Sequence, residues 1–126
     1  MNIKRRVILL CVVSTGLTLA LIWSLFLSSQ SGLALTNSYT VCPAGPPTCD
    51  YSAVQFAVDG ASDGDVIKVA QGTYTGVNNQ GGLAQVVYID KSVTIQGGYT
   101  TAFSEPPDPE ANPTTLDAQG GGRVLY

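Results

Sequence analysis

The chain has 126 residues, six basic and nine acidic side chains, no histidine and a formal charge of −3, which leaves room for one small domain. The charge is segregated. Lys4, Arg5 and Arg6 stand at the start, and from Asp50 onward nine carboxylates face only Lys68, Lys91 and Arg123, a formal balance of −6. An acidic body with scattered cations repels phosphate backbones, so nucleic acid is not an expected partner.

Val7 to Leu27 is an uncharged, mostly apolar run of twenty-one residues behind the three basic ones. Gly32-Leu33-Ala34 follows it with a small-x-small pattern, so residues 1–34 are expected to be a secretory signal peptide, with the mature chain starting near Leu35. The competing reading is an uncleaved anchor, since about 20 apolar residues span a bilayer, and residues 7–27 would then be the membrane contact. Gly16, Ser14, Thr15 and Thr18 weigh against the anchor. Either way the basic residues hold the N-terminus inside. The rest is expected to leave through the Sec pathway, to be secreted or to stay at the cell surface. Cys11 lies early in the apolar run behind Leu10, a poor context for a lipoprotein cysteine.

Residues 35–49 carry Cys42 and Cys49 around Pro-Ala-Gly-Pro-Pro-Thr. Outside the cytosol such a pair is expected to form a disulfide, worth about 2–3 kcal/mol in the chain-entropy model. A metal site would need further Cys or His ligands, and the chain has no His.

Residues 50–126 make the third segment. Ser52 and Gln55 are spaced as a capping box, Tyr51 and Phe56 as a hydrophobic staple, and Gly60 suits a C-terminal cap. Val54, Ala57, Val58 and Ala61 form one apolar stripe, which predicts a short helix with one face to bury. Beyond Gly64 the period becomes alternating. Ile67 and Val69 bracket Lys68, Val87 and Ile89 bracket Tyr88, and Val93 and Ile95 bracket Thr94, which predicts short strands. Gly72, Gly76, the Asn78–Gly82 run and Gly97-Gly98 punctuate them. Ile67–Gly72, Val93–Gly98 and Leu116–Gly120 resemble one another at solenoid-like intervals, and Arg123–Tyr126 stands as a counterpart of Val87–Ile89. Aliphatic ladders from Ile67, Val93 and Leu116, sealed at one end by the helix, would make a right-handed parallel β-helix.

The series Gly64-Asp65-Val66-Ile67-Lys68-Val69, Gly72-Thr73-Tyr74 and Lys91-Ser92-Val93-Thr94-Ile95-Gln96-Gly97, behind the Ser52–Val58 stretch, resembles the N-terminal cap and first rungs of the pectate-lyase-like β-helix superfamily. The resemblance covers about residues 50–126. It implies an all-β solenoid capped by a short helix. As an indicator of function it is weak, because lyases, hydrolases, esterases and adhesins share the fold.

The candidate chemistry is sparse. Asp59, Asp63 and Asp65 offer carboxylates near a turn, but their spacing fits no EF-hand loop, and Asp and Gly dominate turns for backbone reasons. Asp117 is a single carboxylate where a general acid/base pair needs two, and reads as a turn or capping residue. Tyr74 and Tyr99, with Phe103, are the aromatic candidates for sugar contact. Trp23, the one tryptophan, lies in the export segment. Glu105 to Pro113 reads as an extended excursion with four prolines and three acids.

These features assign no catalytic residue, no metal ligand and no cofactor. The expectation is the N-terminal part of an exported or cell-surface β-helix protein with a structural or binding role. Extracellular polysaccharide and further rungs of a longer parent chain are its partners. The alternative is the start of a secreted polysaccharide lyase or glycoside hydrolase whose catalytic rungs lie beyond residue 126. An autotransporter-like adhesin is a third option.

Overall fold

The computed structural model describes residues 35–126. The signal peptide or anchor, Cys11 and Trp23 lie outside the described residues. Among the described residues no helix is long and apolar enough to cross a membrane.

The element order is β1 (Ser38–Val41), α1 (Val54–Gly60), β2 (Val66–Ala70), β3 (Gly72–Tyr74), β4 (Asn78–Gln80), β5 (Leu83–Val87), β6 (Thr94–Tyr99), β7 (Thr114–Leu116) and β8 (Arg123–Leu125). They form three separate short sheets: β1-β2-β6, β3-β7 and β4-β5-β8. Every pairing is parallel except β4 with β5.

These sheets overturn the expected right-handed parallel β-helix: no solenoid of stacked rungs capped by a helix is formed. The third sequence copy does not stack on the second. Ile67 pairs with Ile95 rather than Val93. Leu116 pairs with Tyr74 in a different sheet, so the column Ile67–Val93–Leu116 does not exist. The physical reason lies in the glycines. Gly72, at φ 140°, turns the chain out of the first sheet after only five residues of β2. Gly81 and Gly82, at φ 62° and 78°, close a two-residue loop of the type that matches strand twist. That loop folds Asn78–Gln80 back as an antiparallel strand on Leu83–Val87. A third departure is a bulge: Lys68 pairs with Gln96 but Ala70 with Tyr99, leaving one extra residue on β6 at Gly97-Gly98.

The core lies between α1 and the first and third sheets. Val41, Val54, Ala57, Val58, Ile67, Val69 and Val87 are each at most 2% exposed. The expected helical stripe is therefore inward, packed on β1, β2 and β5. Its ends differ from expectation. Ala53 is the N-cap and no side chain caps it, so the Ser52–Gln55 box does not form. Phe56 is 54% exposed, so the staple with Tyr51 does not form either.

Gln55 was turned to another use. Its buried Oε1 accepts from the Tyr88 backbone N–H at 2.7 Å, and Nε2 donates to Asp59 Oδ1 at 2.7 Å and Tyr88 O at 3.3 Å. Tyr88 follows β5, and on the edge away from β8 the amide takes the place of a ladder partner. Lys91 Nζ donates to Ala61 O at 3.1 Å, just past the helix C-terminus, where a cation meets unpaired carbonyls.

The excursion between β6 and β7 does not project. Asp108 N–H donates to Gly98 O at 2.8 Å and Asn112 Nδ2 to the same oxygen at 3.4 Å, which folds the proline-rich segment over the bulge.

Candidate functional site

Cys42 and Cys49 form the expected disulfide, with Cα atoms 6.0 Å apart. The bridge holds the loop between them against β1. Cys42 N–H donates to Tyr51 O, and the Asp50 and Tyr51 N–H groups both donate to Thr40 O, at 3.1, 3.1 and 3.0 Å. The sequence after the second cysteine is thereby laid beside the strand before the first. The result is an open groove of about 580 Å³ lined by Tyr39, Thr40, Pro46, Pro47, Thr48, Cys49, Asp50 and Tyr51.

Two half-buried tyrosines form its apolar part. Tyr39 and Tyr51 meet edge to face, with centroids 5.9 Å apart and planes at 67°, a favoured aromatic geometry. Both rings pack against the main core. The Tyr51 hydroxyl closes over Gly60, where any larger residue would collide with it. Pro46 and Pro47 are exposed and add rigid apolar edges.

Asp50 supplies the polar part. Its Oδ2 accepts from Thr40 N at 2.8 Å and Thr40 Oγ1 at 2.7 Å, while Asp50 N–H lies 3.0 Å from Thr40 Oγ1. The carboxylate is held in one orientation by donors from a single residue. Among the described residues nothing donates to Oδ1, and the side chain is exposed.

The sugar-contact candidates from the sequence lie elsewhere. Tyr74 is 6% exposed, and its hydroxyl donates to Ala70 O at 2.9 Å with Val41 O at 3.3 Å. Burial pushes its pKa up to about 12. Tyr99 is 1% exposed, with its hydroxyl 2.9 Å from Glu105 Oε1 and 3.0 Å from Gln96 Oε1. Burial, then the Glu105 contact, pushes it to about 12 as well. Phe103 packs on that ring at 6.0 Å. These rings are therefore part of the packed interior. Asp117 is exposed and its Oδ1 accepts from Gln119 N–H at 2.8 Å, an Asx turn.

Asp59, Asp63 and Asp65 are not gathered around a common point, and among the described residues no cluster could hold a metal ion. Asp59 accepts from Gln55, and Asp63 Oδ1 accepts from Ser92 N–H at 2.8 Å. Asp65 is 1% exposed, with Oδ1 accepting from Asn37 N–H and Oδ2 from Ser62 N–H, each at 2.8 Å. The Ser62 and then the Asn37 backbone donors hold its pKa below the ordinary carboxylate range. Asp63 and Asp65 tie loops to one another, while Asp59 bonds within α1.

The groove residues Tyr39, Thr40, Pro46, Pro47 and Asp50 form no site motif in the sequence. Ser38-Tyr39-Thr40-Val41 alternates like a strand, which was a readable signal. That Asp50 would sit beside Thr40 follows only from the folded disulfide loop. No protein-family model matches the chain, no curated protein or solved structure matches it, and so none of these comparisons identifies a pectate-lyase-like β-helix.

Proposed function

We propose that this is an exported protein whose body binds extracellular saccharide, without turning it over, through the groove between β1 and the disulfide loop. The single observation that carries the reading is the joining of two half-buried tyrosine rings to a fixed, exposed carboxylate in one open groove. Apolar sugar faces pack on aromatic rings and proline edges, while hydroxyls need oriented polar partners such as Asp50, Thr40 and Thr48. The disulfide supports the exported part of the reading, since such bridges persist in oxidising compartments. Binding is favoured over hydrolysis because acid/base cleavage of a glycosidic bond needs two carboxylates, and Asp50 is the one that lines the groove.

The test is calorimetric titration of the full chain with a panel of hexose oligomers. Thr48→Trp, on the exposed wall, should block the groove without touching the core and abolish binding. Tyr39→Ala should weaken it by about tenfold, a loss of roughly 1.4 kcal/mol. Binding that survives Thr48→Trp would place the saccharide elsewhere. Release of shortened or unsaturated sugars would replace binding with catalysis.

A further inference from the structure

We propose that the groove selects chains of protonated amino sugars and rejects polyuronates, with Asp50 as the selecting group. This rests on the saccharide reading above and names the class of sugar it takes.

The argument is one of charge inventory. Asp50 is the one charged residue lining the groove. Thr40 fixes its Oδ2 through two bonds, and among the described residues Oδ1 has no donor. An exposed carboxylate held in place is ready for a charge-assisted bond to an ammonium group, which is roughly twice as strong as a neutral one. Tyr39 and Tyr51, aromatic groups lining the same groove, favour a cation over an anion as well.

A uronate would instead need a cation, and each of the three cations in the described residues is committed. Lys68 is the nearest by register, since it pairs with Thr40 across β1 and β2. Its Nζ is bound to Glu105 Oε1 at 2.6 Å and sits 5.4 Å from the Tyr99 ring centroid, on the side of β6. Lys91 holds the carbonyls at the end of α1. Arg123 lies over Tyr126 at 5.5 Å, in the third sheet. A carboxylated sugar entering the groove meets Asp50 with nothing to offset the repulsion. The acidic balance of the exported segment acts in the same direction at longer range.

The experiment titrates the full chain with three probes of equal length: a glucosamine hexamer, cellohexaose and hexagalacturonate, at a pH where the amines are protonated. The glucosamine hexamer should bind about tenfold more tightly than cellohexaose, and hexagalacturonate should not bind measurably. Asp50→Asn keeps the shape of the side chain and should bring the glucosamine and glucose chains to equal affinity. Added salt should narrow their difference in the wild type and leave the variant unchanged. Equal affinity of those two chains for the wild type would overturn the selection while leaving saccharide binding intact. Tight hexagalacturonate binding would overturn it too. Failure of all three to bind would remove the saccharide reading itself.

Discussion

Asp65 shows how much of this fold rests on a single buried carboxylate. It bonds to the N–H of Asn37, ahead of β1, and to the N–H of Ser62, just past α1. Its own N–H returns to Ser62 O, and its carbonyl accepts from Thr94 at the start of β6. One residue therefore ties three parts of the chain: the segment ahead of β1, the turn after α1 and the start of β6. Because its folded pKa is lowered, its ionised form stabilises the fold at neutral pH, and that contribution disappears as pH falls through the folded value. Glu105, lowered first by Lys68 and then by Tyr99, has the same sign. Asp65→Asn should lower the melting temperature at neutral pH and flatten the acid limb of the stability curve. The gap between variant and wild type should close as the pH is lowered. A gap that stays constant down to acid pH would show that the charge on Asp65 is not what matters. In the sequence, Asp63-Gly64-Asp65 reads as a turn from local chemistry alone. The burial of Asp65 depends on Asn37 and Thr94, both remote in sequence.

The elements divide sharply into what local pattern could reveal and what it could not. The inward stripe of α1 and the strand at Ile67–Val69 were legible, since each needs only its own periodicity. The hairpin was missed although Gly81-Gly82 is a recognised two-residue loop, because Asn78–Gln80 lacks the apolar alternation of a strand. Strand pairing was the least legible feature. Alternation says which side chains point inward and nothing about which strand they meet, so similar Gly-terminated copies read as one stack although they pair in different sheets. The bulge on β6 offers a clear measurement. At Gly98, φ is 90° and an added Cβ would lie 2.8 Å from the Pro109 nitrogen and 3.1 Å from its Cα. Both are backbone atoms, so the excursion cannot give way cheaply. Gly98→Ala should cost about 1–3 kcal/mol in urea unfolding. Gly76→Ala, with open space around it, should cost far less. Equal losses would mean that the excursion does not rest on the bulge.

At the scale of the whole molecule, the sheets are built mostly from segments far apart in the chain. Gly72 pairs with Thr114, Gln85 with Arg123, and Ser38 with Val66, whereas the β4–β5 turn is the one pairing of near neighbours. The disulfide closes the local loop beside β1 and, of these connections, shortens only the one from β1 to β2, by bypassing residues 43–48. Each parallel pair must therefore bear the entropy of closing a long loop before its contacts repay it. Refolding with the disulfide intact should take milliseconds to seconds rather than microseconds, which stopped-flow tyrosine fluorescence would resolve. Microsecond recovery would mean that these distant pairings do not limit the rate. During synthesis β3 must likewise wait, unpaired, until β7 has been made, and β5 has only the β4 hairpin until β8 follows.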